Sequence, residues 1–214
     1  MRFYDSRLDI PVPTVTGLAV RRDGGLGAMV FAAGAGLNGR EAMRAALSEV
    51  ASYVPDFPER VTNELDKART MLHDYSRVHE LGDHALLYGL PEMTRHVDFL
   101  LKPRQRRDVE EVYGAWEKDR PRTLDLVDDL KYCLEQVYRL GQDVIVVNQT
   151  CPEELKVGVH TVRVIAPGLI PIDFGWERQR ALDLDRTHTV LRKIGERDHD
   201  LSPEELNPHP HPFP

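Results

Sequence analysis

Two periods organise the apolar positions of this chain. Residues Thr14–Val20 and 28–33 are apolar runs of strand length, separated by Arg21-Arg22-Asp23-Gly24-Gly25. An Asp-Gly step between two such runs is a hairpin signal. The second run leads into Gly34-Ala35-Gly36-Leu37-Asn38-Gly39, and a helix is expected from there to about Val54. Asn38 or Gly39 can cap that helix and Pro55 stops it. On a helical wheel Met43, Leu47, Val50 and Val54 fall in one narrow sector and are expected to face the core. The opposite side carries Glu41, Ala45, Ser48, Glu49 and Ser52.

Helical spacing continues over residues 57–72 and 92–101, and a strong helical pattern over 124–140 is closed by Gly141. Residues 103–123 are the most charged and least periodic stretch, where a mobile loop is expected. Residues 144–147 and 159–165 read as buried strands. Beyond Pro167 the chain turns irregular and proline-rich, with helical spacing near 180–194. No segment repeats. The predicted class is α+β, helices packed on a mainly antiparallel sheet.

The chain ends Pro208-His209-Pro210-His211-Pro212-Phe213-Pro214, a proline at every second position. Proline fixes φ near −65° and has no N–H, so this run is neither helix nor central strand and stays extended. Two readings are open: an inert spacer, or a stiff rod that holds the terminal carboxylate at a set distance from the folded body. The division expected is residues 1–200 as one folded unit and 201–214 as its tail.

At 214 residues the chain suits one domain with a sizeable core. A net charge of −7 argues against a general nucleic-acid binder. The basic run Lys102-Pro103-Arg104-Gln105-Arg106-Arg107 is answered at once by Asp108, Glu110 and Glu111 and reads as a solvated helix approach. Cys133 and Cys151 are too few for a disulfide framework and suit a reducing cytoplasm. No apolar run approaches membrane-spanning length, and no membrane partner is expected.

Three motifs invite chemistry. Gly34-x-Gly36-x-x-Gly39 matches a dinucleotide fingerprint, but its strand belongs to a hairpin and no second parallel strand follows the helix. What survives is a glycine loop whose backbone N–H groups, at a helix N-terminus, can approach an anion. His79-Glu80-Leu81-Gly82-Asp83-His84 resembles a zinc-protease signature, but its histidines are five apart rather than four, so one helix face cannot hold both. An exposed helix end and loop is expected there. The third is the face bearing Glu41 and Glu49. Its carboxylates stand among small residues, about 12 Å apart along a helix rising 1.5 Å per residue. Carboxylates suit Mg²⁺ bound together with phosphate oxygens, while a lightly charged surface helix needs no ligand at all.

Taken together these stretches resemble the YcaO family, in particular its azoline-forming cyclodehydratases of ribosomal peptides. The carriers are Gly34-Ala35-Gly36-Leu37-Asn38-Gly39-Arg40-Glu41 through Glu49, then Gly82-Asp83-His84 to Tyr88. Val146-Val147-Asn148-Gln149-Thr150-Cys151-Pro152, Val162-Arg163-Val164-Ile165-Ala166-Pro167-Gly168-Leu169 and the proline-alternating end complete the set. The resemblance implies ATP and Mg²⁺ among acidic helices without a P-loop. A Cys, Ser or Thr side chain would attack the preceding amide carbon, and the amide oxygen would leave as phosphate. By position it makes Glu41 and Glu49 metal ligands, and Arg163, Gly34, Gly36 and Ser52 nucleotide contacts. It gives Phe213 and Pro214 a part in proton transfer or substrate orientation. The partners implied are a ribosomal precursor peptide, a leader-peptide-binding protein and a separate N-terminal YcaO half, because the resemblance begins in mid-family. Ser52 stands where the family carries Glu or Gln. Thioamide or amidine formation, and a non-catalytic scaffold for a peptide or an enzyme, are the alternative readings.

Overall fold

A computed structural model describes residues 1–102 and 106–214. Strands β1 (Arg2–Asp5), β2 (Thr14–Val20) and β3 (Met29–Ala35) form one antiparallel sheet in the order β1-β2-β3. The Asp23-Gly24 turn joins β2 to β3, and Leu18 pairs with Phe31. Helix α1 (Gly39–Tyr53) packs on one face of this sheet. There follow α2 (Phe57–Asn63), α3 (Leu65–His73), α4 (Leu81–Tyr88), α5 (Asp98–Leu101), α6 (Val109–Asp119) and α7 (Leu126–Tyr138). Strands β4 (Ile145–Asn148) and β5 (Val162–Ile165), with α8 (Pro152–Lys156) between them, make a second antiparallel sheet. Helix α9 (Asp185–Lys193) precedes the tail. The mixed α+β class and its antiparallel pairing are as predicted.

Residues two apart on a strand share a face. Val15, Gly17 and Gly34 therefore point at α1, and Leu18 and Phe31 point the other way. The second face builds the larger core, with Phe57, Val61, Met71, Leu86, Leu87, Tyr88, Leu90 and Met93 around Leu18 and Phe31.

Four expectations are corrected. The buried face of α1 is Gly39, Ala42, Ala46 and Val50, whereas Leu47 and Val54 are exposed. The reason is close approach: a Cβ on Gly34 would stand 2.6 Å from Ala46 N and 2.9 Å from Ala45 Cβ. A helix lying that near the strand has room for alanine beneath it and none for leucine. Second, residues 109–119 of the predicted loop are helix α6. Its Val109, Val112, Tyr113 and Trp116 follow helical spacing, and Tyr113 and Trp116 are buried. Residues 103–105 of that loop, and with them part of the basic run, lie outside the described residues.

Third, the segment expected as an exposed helix end and loop contains buried Asp83 and His84, because the apolar run from Ala85 to Leu90 draws α4 into the core. Fourth, β4 and β5 are exposed rather than buried. Among the described residues no third strand joins them.

Candidate functional site

The predicted ligands fall on two sides of the first sheet. On one side Glu41, Glu49 and Ser52 share the exposed face of α1. Among the described residues neither carboxylate is in an ion pair. Ser52 Oγ donates to the Glu49 carbonyl at 2.7 Å, so its proton is spent on its own helix. Gly36 adjoins Glu41: a Cβ built on Gly36 would lie 3.6 Å from that of Glu41.

The glycine loop is not an open anion cradle. Asn38 Oδ1 accepts from Arg40 N at 2.8 Å and from Glu41 N at 3.4 Å. Gly39 N donates to Glu117 Oε1 of α6 at 3.1 Å, and Gly36 N to the Pro13 carbonyl at 3.1 Å. The anion at the N-terminus of α1 is thus a carboxylate of the same chain, where the helix dipole favours it. Gly34 is buried under α1 and Gly39 lies against the Tyr113 ring, with Trp116 Nε1 donating to the Leu37 carbonyl. Gly34 and Gly36 are accordingly packing positions, which corrects their reading as nucleotide contacts. Arg163 is exposed on β5, its Cα paired with Val147.

On the other side of the sheet lies the tail. It is not a free rod. Phe213 packs edge-on against Phe31, ring centroids 6.4 Å apart, and Phe31 in turn meets Tyr88 at 5.7 Å. Phe213 is therefore separated from the carboxylates of α1 by the sheet. Its observed work is anchoring, and Pro214 beyond it is half-buried.

The tail is gripped by side-chain donors. Tyr88 OH donates to the Pro210 carbonyl at 2.7 Å, and His84 Nδ1 meets the His211 carbonyl at 3.0 Å. His211 Nε2 lies 2.8 Å from the Asp173 carbonyl, and Tyr75 OH lies 2.9 Å from His209 Nδ1. The rings of His84 and His211 stack at 3.8 Å, 9° from parallel. Beside them a cleft of about 350 Å³ is lined by Ile170, Ile172, Trp176, Leu182, His211 and Phe213, among others.

Electrostatics keep this side neutral. Burial, with the stacked His211 second, pushes His84 down to about 4, and burial also lowers His211. Burial alone would raise the Asp83 carboxyl. Lys67 Nζ at 2.5 Å and the N–H groups of His79 and Glu80 outweigh it and hold Asp83 below the usual carboxylate range. Burial raises the Tyr88 phenol, which stays a donor.

Sequence reasoning missed this grip. Its signal was present: His84 and Tyr88, four apart, share one helix face, and an Xaa-Pro tail offers carbonyls in place of half its donors.

A model described as YcaO cyclodehydratase, ATP- and Mg²⁺-binding, matches residues 1–170. The chain belongs to the YcaO family. Glu41, Glu49, Ser52 and Arg163 lie inside the matched range, and the tail outside it. Two solved structures are similar in fold. The heterocyclase TruD superposes with a TM-score of 0.57 at 23% identity, over 99% of this YcaO chain and 25% of that one. A heterocyclase in complex with substrate and cofactor gives 0.56 at 24% identity, over 99% and 24%. The chain thus spans about a quarter of the length of these relatives. Curated proteins offer no match. Among the described residues no helix is long and apolar enough to cross a membrane.

Proposed function

We propose that this chain is the C-terminal part of an ATP- and Mg²⁺-dependent peptide cyclodehydratase that forms azolines from Cys, Ser or Thr. In this reading residues 1–200 are the body and 201–214 the tail. What carries it is the family match across residues 1–170, which takes in both carboxylates and Arg163.

Two unpaired glutamates on an open helix face fit Mg²⁺ in part. Ligand distances to Mg²⁺ are about 2 Å, so carboxylates about 12 Å apart along the helix hold separate ions, each completed by phosphate oxygens and water. No group of three or more His, Cys, Asp or Glu among the described residues is arranged to hold a metal by itself. That fits a half-site, completed by a separate N-terminal half. When bound, Mg-ATP would supply the phosphoryl group that turns an amide oxygen into a leaving group. Glu41 and Glu49 would bear the metal, and Arg163 would take phosphate oxygens in its planar fork. The tail, anchored through Phe213, would orient a ribosomal precursor peptide delivered by a leader-binding protein, with Pro214 nearest the reacting amide. A cytoplasmic setting follows from ATP and from the reduced cysteines.

The experiment is reconstitution. The chain is mixed with Mg-ATP and a Cys-containing precursor peptide, alone and with an N-terminal YcaO half, and phosphate release and product mass are read. The expected result is no turnover alone, and loss of one water per ring with the half present, abolished by Glu49→Ala. ATP hydrolysis by the chain alone overturns the half-site, and exchange of oxygen for sulfur moves the chain to thioamide formation. A scaffold is the second reading, favoured by Ser52, whose hydroxyl is spent on the helix. Mg²⁺-dependent ATP binding by the reconstituted pair counts against it.

A further inference from the structure

A tail that alternates with proline presents few backbone donors, so whatever holds it in one register must reach its carbonyls. Two side chains on α4 do so, one helical turn apart: Tyr88 bonds the Pro210 carbonyl and His84 the His211 carbonyl. A hydroxyl can always donate. An imidazole nitrogen donates only if it carries the proton, and which one does is set by the partner of the other nitrogen. His84 Nε2 accepts from Gly175 N at 3.0 Å. That N–H can only donate, so Nε2 is bare and the proton is on Nδ1, facing the tail. Gly175 holds this position at φ +106°, a conformation that favours glycine, and a Cβ there would stand 2.9 Å from the His79 carbonyl.

We propose that His84 is the positioning residue for the C-terminal tail, that it works only as the neutral Nδ1–H tautomer, and that a single proton on Nε2 unlatches the tail. Protonation would set an imidazolium N–H against the Gly175 N–H. It would also place a cation flat against His211, whose Nδ1 is buried without a partner.

Every element packed around the latch bears on its charge. On α4, Asp83 favours the imidazolium but is committed to Lys67. On the loop before α9, Asp173 is committed to Arg180 through Nε at 2.8 Å and through the Arg180 backbone N–H at 2.9 Å. Phe174 meets His84 edge-on at 6.1 Å. In the tail, His211 and His209 are both held below their ordinary range by burial, the latter beside His96 and Arg95. All three histidines therefore oppose protonation in the docked state, and the sign is common. His84 lies at about 4 against an ordinary 6.5. Docking is at full strength above pH 6.5, weakens as pH falls and reaches its floor below about pH 4. The docking constant drops by up to about 100-fold between pH 7 and pH 4.

The inference rests on the proposed reading only in giving the docked tail a task. Its test uses neither ATP nor peptide, so it stands or falls apart from cyclodehydration. Hydrogen exchange of the His209, His211 and Phe213 amides, corrected for intrinsic rates, is followed from pH 7 to pH 4 beside that of β2 and β3, while ¹⁵N shifts report the His84 ring. The expected result is a proton on Nδ1 at pH 7, and tail protection lost as the ring titrates while the strands stay protected. A proton on Nε2 at pH 7, or tail protection that survives ring protonation, overturns it. His84→Asn, which keeps a donor near the Nδ1 position but cannot titrate, should hold the tail at both pH values. If that variant folds and still sheds its tail as pH falls, His84 is not the latch. If it does not fold, the wild-type titration decides.

Discussion

The first sheet and the second sheet are both antiparallel, and they live in opposite surroundings. Leu18 and Phe31 of the first are almost wholly buried, under α4 on one side, while Val15 and Gly34 lie under α1 on the other. In the second, Val146 is 60% and Val164 58% exposed, and Leu126, Val127, Leu130 and Tyr138 of nearby sequence are exposed as well. A two-stranded sheet alone is marginal in water, and three or more strands or a packed helix are needed for independent stability. The difference teaches that strand sequence fixes what a strand needs, not whether the chain supplies it. The first region carries its own cover. The second carries apolar strands of the kind that interiors use, without a covering layer among the described residues.

The comparison breaks hardest at Gly34. A valine there must push α1 off β3, because its Cβ meets backbone atoms of Ala46 and the side chain of Ala45 at contact distances no flexible group can relieve. Gly34→Val should cost about 3 kcal/mol, the upper end of overpacking effects. Urea unfolding would measure it, and a loss under about 1 kcal/mol would mean that the helix does not sit as close as described. Because Glu41 and Glu49 ride on α1, the same change should impair metal binding.

A smaller effect belongs to the tail, which completes the cover of the first sheet. Tyr88→Phe removes the donor to the Pro210 carbonyl and leaves the phenyl ring against Phe31. A hydrogen bond of this kind contributes about 1 kcal/mol net. Tail amides should exchange several-fold faster at pH 7, with α4 and the strands unchanged. Unaltered exchange would show that His84 alone suffices to hold the tail.

Much of the first region was legible in the sequence, and the reason is locality. The hairpin announced itself through Asp23-Gly24 between apolar runs, and α1 through Asn38 and Pro55. What was not legible depended on distance between elements. Which face of α1 is buried follows from Gly34, a residue whose missing side chain lets alanines do what leucines were expected to do. That the helix N-terminus already holds an anion follows from Glu117, 78 positions away in α6. The helix itself was hidden because charges at Glu110, Glu111, Lys118 and Asp119 masked the spacing of Val109, Val112, Tyr113 and Trp116. The tail was legible as stiff and extended, but not as docked. Its partners are the carbonyl-seeking side chains of α4, more than 120 residues earlier. The pair Glu41 and Glu49 was read as sharing one face and does so. Whether that face holds a nucleotide depends on groups that no single helix contains.

The smallest expected effect is the most discriminating for the second region. If β4 and β5 lack a covering layer within the chain, placing charge on them should cost this chain almost nothing. Val146 and Val164 are direct neighbours in the register, so the double change Val146→Lys with Val164→Glu pairs opposite charges across the strands. Exposed substitutions fall within about 0.5 kcal/mol, so the thermal midpoint should barely move. Association with an N-terminal half, read by analytical ultracentrifugation, should instead be lost, because a charged pair cannot be buried there without a desolvation cost of several kcal/mol. A clear drop in the midpoint of the chain alone would show that these strands are already packed in solution, and the contrast between the two sheets would fall. Unchanged association with unchanged stability would leave the contrast standing and move the partner to another surface, the exposed face of α7 being the next to test.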